Sequence, residues 1–140
     1  MMSLSVVLTM AVAGAVLLTG CAVAPAAEDA SAPGAGTYRT ITPAEAKARL
    51  AADPTIRLVD VRTPEEYREQ HLPGSILIPE YELAARAPSL LPKKDATIFL
   101  YCRSGRRSRE AALTLLALGY PHVYDLGGIM SWPYETAAGP

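Results

Sequence analysis

Cys102-Arg103-Ser104-Gly105-Arg106-Arg107-Ser108 sets a sulfur nucleophile at the head of a short run of arginines. Thr97-Ile98-Phe99-Leu100-Tyr101 precedes it and reads as a buried strand. Arg109-Glu110-Ala111-Ala112-Leu113-Thr114-Leu115-Leu116-Ala117-Leu118 follows and reads as a helix. The cysteine therefore stands at the carboxyl end of a strand, in a loop, just before a helix amino terminus. Inward-facing backbone N–H groups and the helix dipole make such a loop locally positive. Both favour a thiolate, which is the nucleophilic form of cysteine, and both attract a small anion. The spacing points to covalent cysteine chemistry on an oxyanion.

The elements that must position this loop alternate between helix and strand. Thr42-Pro43-Ala44-Glu45 reads as a capping box, with Thr42 as N-cap, proline in the first turn and Glu45 returning to the cap. The helix it opens runs through Leu50 toward Asp53-Pro54, where proline ends it. Ile56 to Val61 reads as a strand, and Thr63-Pro64-Glu65-Glu66 opens a second, short helix through Tyr67. Ser75-Ile76-Leu77-Ile78 is a short strand closed by Pro79. Glu80 to Ala87 suits one or two helical turns, and Pro88-Ser89-Leu90-Leu91-Pro92 reads as a loop. The run from Thr97 to Tyr101 lacks internal polar alternation, as a central parallel strand covered on both faces requires. Gly119 suits the end of the helix after the cysteine loop, and His122 to Leu126 reads as the last strand. Alternating strands and helices predict an α/β fold, a small parallel sheet with helices on both faces and its ligand site beyond the strands' carboxyl ends.

The chain has 140 residues, two cysteines and a formal net charge of −1. That near-neutral balance gives no general attraction to nucleic acid. Two cysteines are too few for a disulfide framework, and no Cys/His spacing suggests zinc or another metal. Met1 to Ala27 contain no charged side chain, and Leu4 to Thr19 is an apolar stretch of signal-peptide length. It ends in Leu18-Thr19-Gly20-Cys21, which resembles the lipobox of bacterial lipoproteins. That resemblance implies cleavage before Cys21 and a diacylglyceryl group on its sulfur. Residues 1–20 are then a lipoprotein signal peptide, 21–36 an Ala/Pro/Gly-rich flexible tether, and 37–140 the folded domain. An uncleaved anchor helix and an ordinary leader cut near Ala24-Pro25-Ala26 are the alternatives. The n-region Met1-Met2-Ser3 departs from the usual pattern in having no Lys or Arg. The expected location is extracytoplasmic, with the lipid holding the protein to a bacterial cell envelope, facing the periplasm if the cell is Gram-negative.

Four segments taken together resemble a single-domain rhodanese, and the resemblance covers nearly all of Tyr38 to Glu135. Leu58-Val59-Asp60-Val61-Arg62 with Glu66-Tyr67 is similar to the family's early Asp-x-Arg pattern. Tyr67 through His71-Leu72-Pro73-Gly74-Ser75 is similar to its aromatic-x₃-His-apolar-Pro-Gly-small signature, with Ser75 where alanine is usual. Cys102 to Arg107 fits the six-residue active-site loop, and Leu126-Gly127-Gly128-Ile129-Met130-Ser131-Trp132 the terminal Gly-Gly-x₃-Trp motif. The resemblance implies a rhodanese-like fold and sulfur transfer without a cofactor. A small sulfur-containing anion such as thiosulfate loads the cysteine as a persulfide, and cyanide or a thiol unloads it. Cys102 is then the sulfur carrier, and the loop of Arg103, Ser104, Gly105, Arg106 and Arg107 binds substrate. Loop amides would cradle the persulfide, while Arg103 and Arg107 would hold the donor's oxygens.

Blander roles suit the other residues. A free cysteine without such a loop is often a small core hydrophobe. Asp60, Arg62 and His71 are expected to support loops by hydrogen bonds, and Trp132 to be a core or lid aromatic. Arg106 and His122 are expected to face solvent. Phosphatase-type chemistry wants Cys-x₅-Arg, but that position is Ser108; Arg107 gives a loop one residue shorter, better sized for one sulfur than for a phosphate. Dithiol redox chemistry wants a resolving cysteine, and a lipidated Cys21 could not serve as one. Rhodanese-like binding modules commonly lack the cysteine that this chain retains. For the amino terminus the expectation is direct: radiolabelled palmitate enters the full-length protein and does not enter Cys21→Ser. Equal labelling of both removes the lipid assignment.

Overall fold

A computed structural model describes residues 36–140; the leader, Cys21 and nearly all of the tether lie outside the described residues. The elements run β1 (Arg39–Thr40), α1 (Pro43–Ala52), β2 (Arg57–Asp60), α2 (Pro64–Glu69), β3 (Ile76–Leu77), a 3₁₀ turn (Glu80–Glu82), α3 (Leu83–Leu90), β4 (Ile98–Cys102), α4 (Arg106–Ala117), β5 (Val123–Gly128) and a final 3₁₀ turn (Ile129–Ser131). The strands form one parallel sheet in the order β1-β5-β4-β2-β3. The chain moves outward from β2 to β3 and returns inward across the sheet to β4 and β5. Right-handed crossovers therefore carry α2 and α4 to opposite faces, and a crevice opens between the carboxyl ends of β2 and β4.

Strand β4 is the middle of this construction, and every one of its residues is buried. Its side chains alternate between two cores. Ile98, Leu100 and Cys102 join Val59, Leu83, Ala87, Ala111, Ala112 and Leu115 on the face covered by α3 and α4. Phe99 and Tyr101 join Ile41, Ala46, Leu58, Leu72 and Leu126 on the face covered by α1. Each large apolar side chain removed from water in this way contributes about 1.5–3 kcal/mol.

Both predicted threonine caps are present. Thr42 accepts from Glu45 N–H at 3.2 Å, while at Thr63 the reciprocal bond from Glu66 completes the box. Three expectations need correction. The segment from Pro88 is not a loop: α3 continues through Pro88 to Leu90, because Leu83, Ala87 and Leu91 are buried against the core and Tyr120 Oη donates to the carbonyls of Ala87 and Leu91. Tertiary packing there outweighs the hydrogen bond that proline removes. Helix α4 begins at Arg106 rather than Arg109, so only Arg103, Ser104 and Gly105 lie between β4 and the helix. The edge strand β1 was not anticipated; its two exposed residues carry no apolar pattern.

Tyr101 ties β4 to the segment after α2. Its phenol accepts from Leu72 N–H at 3.0 Å and lies 3.1 Å from Ser75 Oγ, all within the core. Tyr101→Phe orphans a buried N–H and is expected to lower stability by about 1–2 kcal/mol in urea denaturation. An unchanged midpoint would mean that this bond contributes nothing to the fold.

Candidate active site

Strand β5 shapes the cysteine turn. Its pairing with β4 slips after Leu100, so that Leu100 faces Asp125 but Tyr101 faces Gly127. Leu126 is the extra residue of this bulge, and Gly127 takes φ +86°, which glycine adopts without strain. The Asp125 carboxylate braces the bend by accepting from Gly127 N–H at 2.9 Å. Gly128 then meets the turn after Cys102 so closely that an added Cβ would collide with the Arg103 carbonyl and lie 2.6 Å from Ser104 Cα. Met130 N–H donates to the same Arg103 carbonyl at 3.3 Å.

Within this frame the turn closes over the sulfur. Gly105 has φ +105° and stands as the N-cap of α4. Its N–H donates to Cys102 Sγ at 3.0 Å. The next N–H groups, in the first turn of α4, lack intrahelical partners, so the helix amino terminus adds partial positive charge. Cys102 is almost wholly buried, with Ser108 Oγ 3.7 Å from its sulfur. Ser108 in turn donates to Asp125 Oδ1 at 2.6 Å.

The four arginines after Cys102 separate. Arg103, Arg106 and Arg109 are exposed, and Arg106 bonds to Glu110 at 2.9 Å on the solvent side. Arg107 turns inward, and its guanidinium meets Glu66 of α2 through two parallel bonds of 2.8 Å. The expectation of a free Arg107 fork is thus met by a fork already engaged with a carboxylate. Among the described residues Arg103 makes no such pair, and it lines a cavity of about 500 Å³ beside the turn, together with Arg62, Glu66, Gln70, Met130 and Ala137. A larger hollow of about 710 Å³ lies at the opposite edge of the sheet, near the start of β2, away from the cysteine.

Asp60 and Arg62 form a buried pair: Arg62 Nε donates to Oδ1 at 2.9 Å and Nη2 to Oδ2, and Nη2 also reaches the Gln70 carbonyl. That bond fastens the end of α2 to the end of β2. His71 Nδ1 lies 2.8 Å from the Tyr67 carbonyl, and its ring stacks on Tyr67 at 3.9 Å. Its backbone pairs with Ala137, drawing the carboxyl-terminal tail across the cavity wall. Trp132 packs partly buried against the α1-side core, and His122 is exposed. Among the described residues no group of His, Cys, Asp and Glu is arranged to hold a metal ion, and no helix is long and apolar enough to cross a membrane.

Ser108, Asp125 and Glu66 are the members of this site that motif reading did not assign. Ser108 was considered only as a missing arginine. It is the third residue of a helix that starts at Arg106, and that start carries no local pattern in the sequence.

The Arg107 guanidinium holds the Glu66 carboxyl well below its ordinary value of 4.5, at about 2. Glu66 is therefore ionised in the folded protein wherever the unfolded chain would be ionised, and also below that range. Its stabilising contribution is complete above about pH 4.5 and is lost as pH falls toward about 2. Thermal melts across that window should show Glu66→Gln losing less stability than the wild type, by on the order of 2–3 kcal/mol. Parallel acid limbs would contradict the pairing.

Residues 42–134 match the family described as Rhodanese-like domain. Among curated proteins the chain is similar to thiosulfate sulfurtransferase PspE of Escherichia coli K12, 41% identical over 71 residues, covering 51% of this chain and 68% of that protein. It is also similar to a sulfurtransferase of Allochromatium vinosum, 38% identical over 85 residues, covering 60% of this chain and 78% of that one. Among solved structures it is similar to a rhodanese with anions from E. coli, with TM-score 0.57, 36% identity, and coverage of 60% of this chain and 99% of the other.

Proposed function

The chain belongs to the rhodanese-like domain family, and from that premise we propose that it carries sulfane sulfur on Cys102, taking it from a small anion such as thiosulfate and passing it to cyanide or a thiol. One observation carries this reading: the 3.0 Å donation from Gly105 N–H to Cys102 Sγ at the amino terminus of α4. A donor for negative charge is already in place on the sulfur that must attack.

In the proposed first half-reaction, Cys102 thiolate attacks the outer sulfur of thiosulfate. A new S–S bond forms, the donor's S–S bond breaks, and its electron pair leaves with sulfite. The enzyme now holds Cys–S–S⁻. In the second half-reaction cyanide attacks the outer sulfur, thiocyanate departs, and the electron pair of the S–S bond returns to Cys102. No net proton transfer is needed when the cysteine enters as thiolate.

Arg103 is the proposed grip on the donor's oxyanion, since it lines the cavity and has no carboxylate partner among the described residues. Arg107, its fork held by Glu66, clamps α2 against the start of α4 rather than gripping the donor. Asp60, Arg62 and His71 keep the cavity walls in register and touch no reacting atom. The proposal for location rests on the sequence alone: Cys21, lipidated, tethers the domain outside the cytoplasm on its Ala/Pro/Gly-rich leash.

Intact-mass measurement tests the chemistry. Thiosulfate should add the mass of one sulfur atom to the wild type, cyanide should remove it, and Cys102→Ala should never acquire it. Sulfur uptake by Cys102→Ala would move the carrier elsewhere, and no uptake by the wild type would favour a non-catalytic binding module. Arg103→Ala is expected to raise KM for thiosulfate about tenfold or more with a smaller change in kcat, as the loss of one charge-assisted grip implies. An unchanged KM would remove Arg103 from donor binding.

A further inference from the structure

Below Cys102 lies a buried acid that sulfur transfer, as described so far, leaves without a role. Asp125 is 5% exposed and makes no ion pair among the described residues. Its Oδ1 accepts from Ser108 Oγ–H at 2.6 Å and from Gly127 N–H at 2.9 Å. Both donors are neutral. Holding a carboxylate here without a cation is costly, and packing alone would be served as well by an amide.

The single proton of the Ser108 hydroxyl decides which side of Ser108 faces the sulfur. Three acceptors surround it: Asp125 Oδ1 at 2.6 Å, the Gly105 carbonyl at 3.1 Å and the Gly127 carbonyl at 3.3 Å. The carboxylate is nearest and is the charged one, so it takes the proton. Ser108 Oγ is then left with lone pairs for Cys102 Sγ, 3.7 Å away. Sγ is thus approached by lone-pair density backed by an anion on its buried side and by the Gly105 N–H on another. Arg103 is exposed and makes no ion pair among the described residues, whereas Asp125 is buried, so the field across the sulfur runs from negative inside to positive outside.

We propose that the Asp125 carboxylate, acting through space from behind Ser108, forms an anionic floor under Cys102 that biases the cysteine toward its sulfur-loaded state. The inference rests on the sulfurtransferase reading and deepens it. In the free thiolate the negative charge sits on Sγ, directly against the floor. In the persulfide the same charge sits on the outer sulfur, about 2 Å further along the new bond. Ser108 is fully packed, so the added sulfur must extend away from it. Loading therefore moves one unit of charge away from Asp125 and toward the arginines, with no change in total charge: thiolate plus thiosulfate become persulfide plus sulfite. In a protein medium of effective dielectric near 20, that displacement shifts the loading equilibrium about three- to fivefold.

Asp125→Asn tests the floor with little change of shape. Its amide can still accept from Gly127 N–H and can donate to Ser108, whose proton is then free to turn onto Sγ. Full-length protein is equilibrated with thiosulfate and sulfite at a fixed ratio, at a pH where alkylation rates show unloaded Cys102 to be thiolate in every variant, and loaded and unloaded masses are counted. The loaded-to-unloaded ratio should fall about three- to fivefold in Asp125→Asn. It should stay within about twofold of wild type in Ser108→Ala, which keeps the carboxylate. Wild-type loading in Asp125→Asn overturns the proposal. So does an equal fall in both variants, since that traces the effect to packing; if the asparagine variant does not fold, a three- to fivefold fall in Ser108→Ala alone overturns it. A wild type that takes up no sulfur at any ratio fails the sulfurtransferase reading itself, and the floor falls with it.

Discussion

A backbone-to-backbone approach fixes the cysteine turn, and the geometry of the site follows from it. Gly128 lies against the carbonyl of Arg103 and Cα of Ser104 in space that no Cβ could share. For β5 to arrive there, its ladder with β4 must slip by one residue, which the bulge at Leu126 and the positive φ of Gly127 allow. The slip also turns Asp125 so that its carboxylate braces Gly127 and receives Ser108. Pinned from this side, the turn has only Arg103, Ser104 and Gly105 in which to pass from strand to helix. Gly105, left-handed at the helix N-cap, brings its N–H onto the sulfur.

Electrostatics then divides the arginines by what each one meets. Arg106 meets solvent and Glu110, an exposed i,i+4 pair of small energetic weight. Arg107 meets Glu66 across the crevice between β2 and β4, in a partly shielded and bidentate pair. That pair clamps α2 against the start of α4. It also neutralises one of the positive charges nearest the cysteine, leaving Arg103 as the one that lines the cavity without such a partner. The buried Asp60–Arg62 pair and the strap from His71 to Ala137 hold the remaining walls. The site is therefore a shallow gradient of charge with the sulfur in its middle, rather than a bowl of free arginines.

How much of this was legible in the chain depended on distance along it. The uninterrupted apolar run of β4 marked a strand covered on both faces, and the two Thr-Pro-x-Glu sequences marked helix starts to the residue. Gly119 marked the end of α4. Each of those signals is local. The start of α4 was misplaced because Arg106-Arg107-Ser108 has no apolar periodicity, and its first turn is defined by a bend at Gly105. Pro88 was read as a breaker because the hydroxyl that caps its helix comes from Tyr120, 33 residues from Ala87. Nothing near Arg107 announces Glu66, 41 residues away, and nothing near Ser108 announces Asp125, 17 residues away. The cysteine turn between β4 and α4 was thus readable from spacing, while the side chains that meet it from elsewhere in the chain are products of the tertiary fold.

A cradle that handles one sulfur rather than a phosphate separates two substrates in parallel steady-state turnover. Thiosulfate with cyanide should release thiocyanate, p-nitrophenyl phosphate should release no nitrophenol, and Cys102→Ser should abolish the first reaction. Nitrophenol released by the wild type without any thiocyanate would make the turn a phosphate site instead.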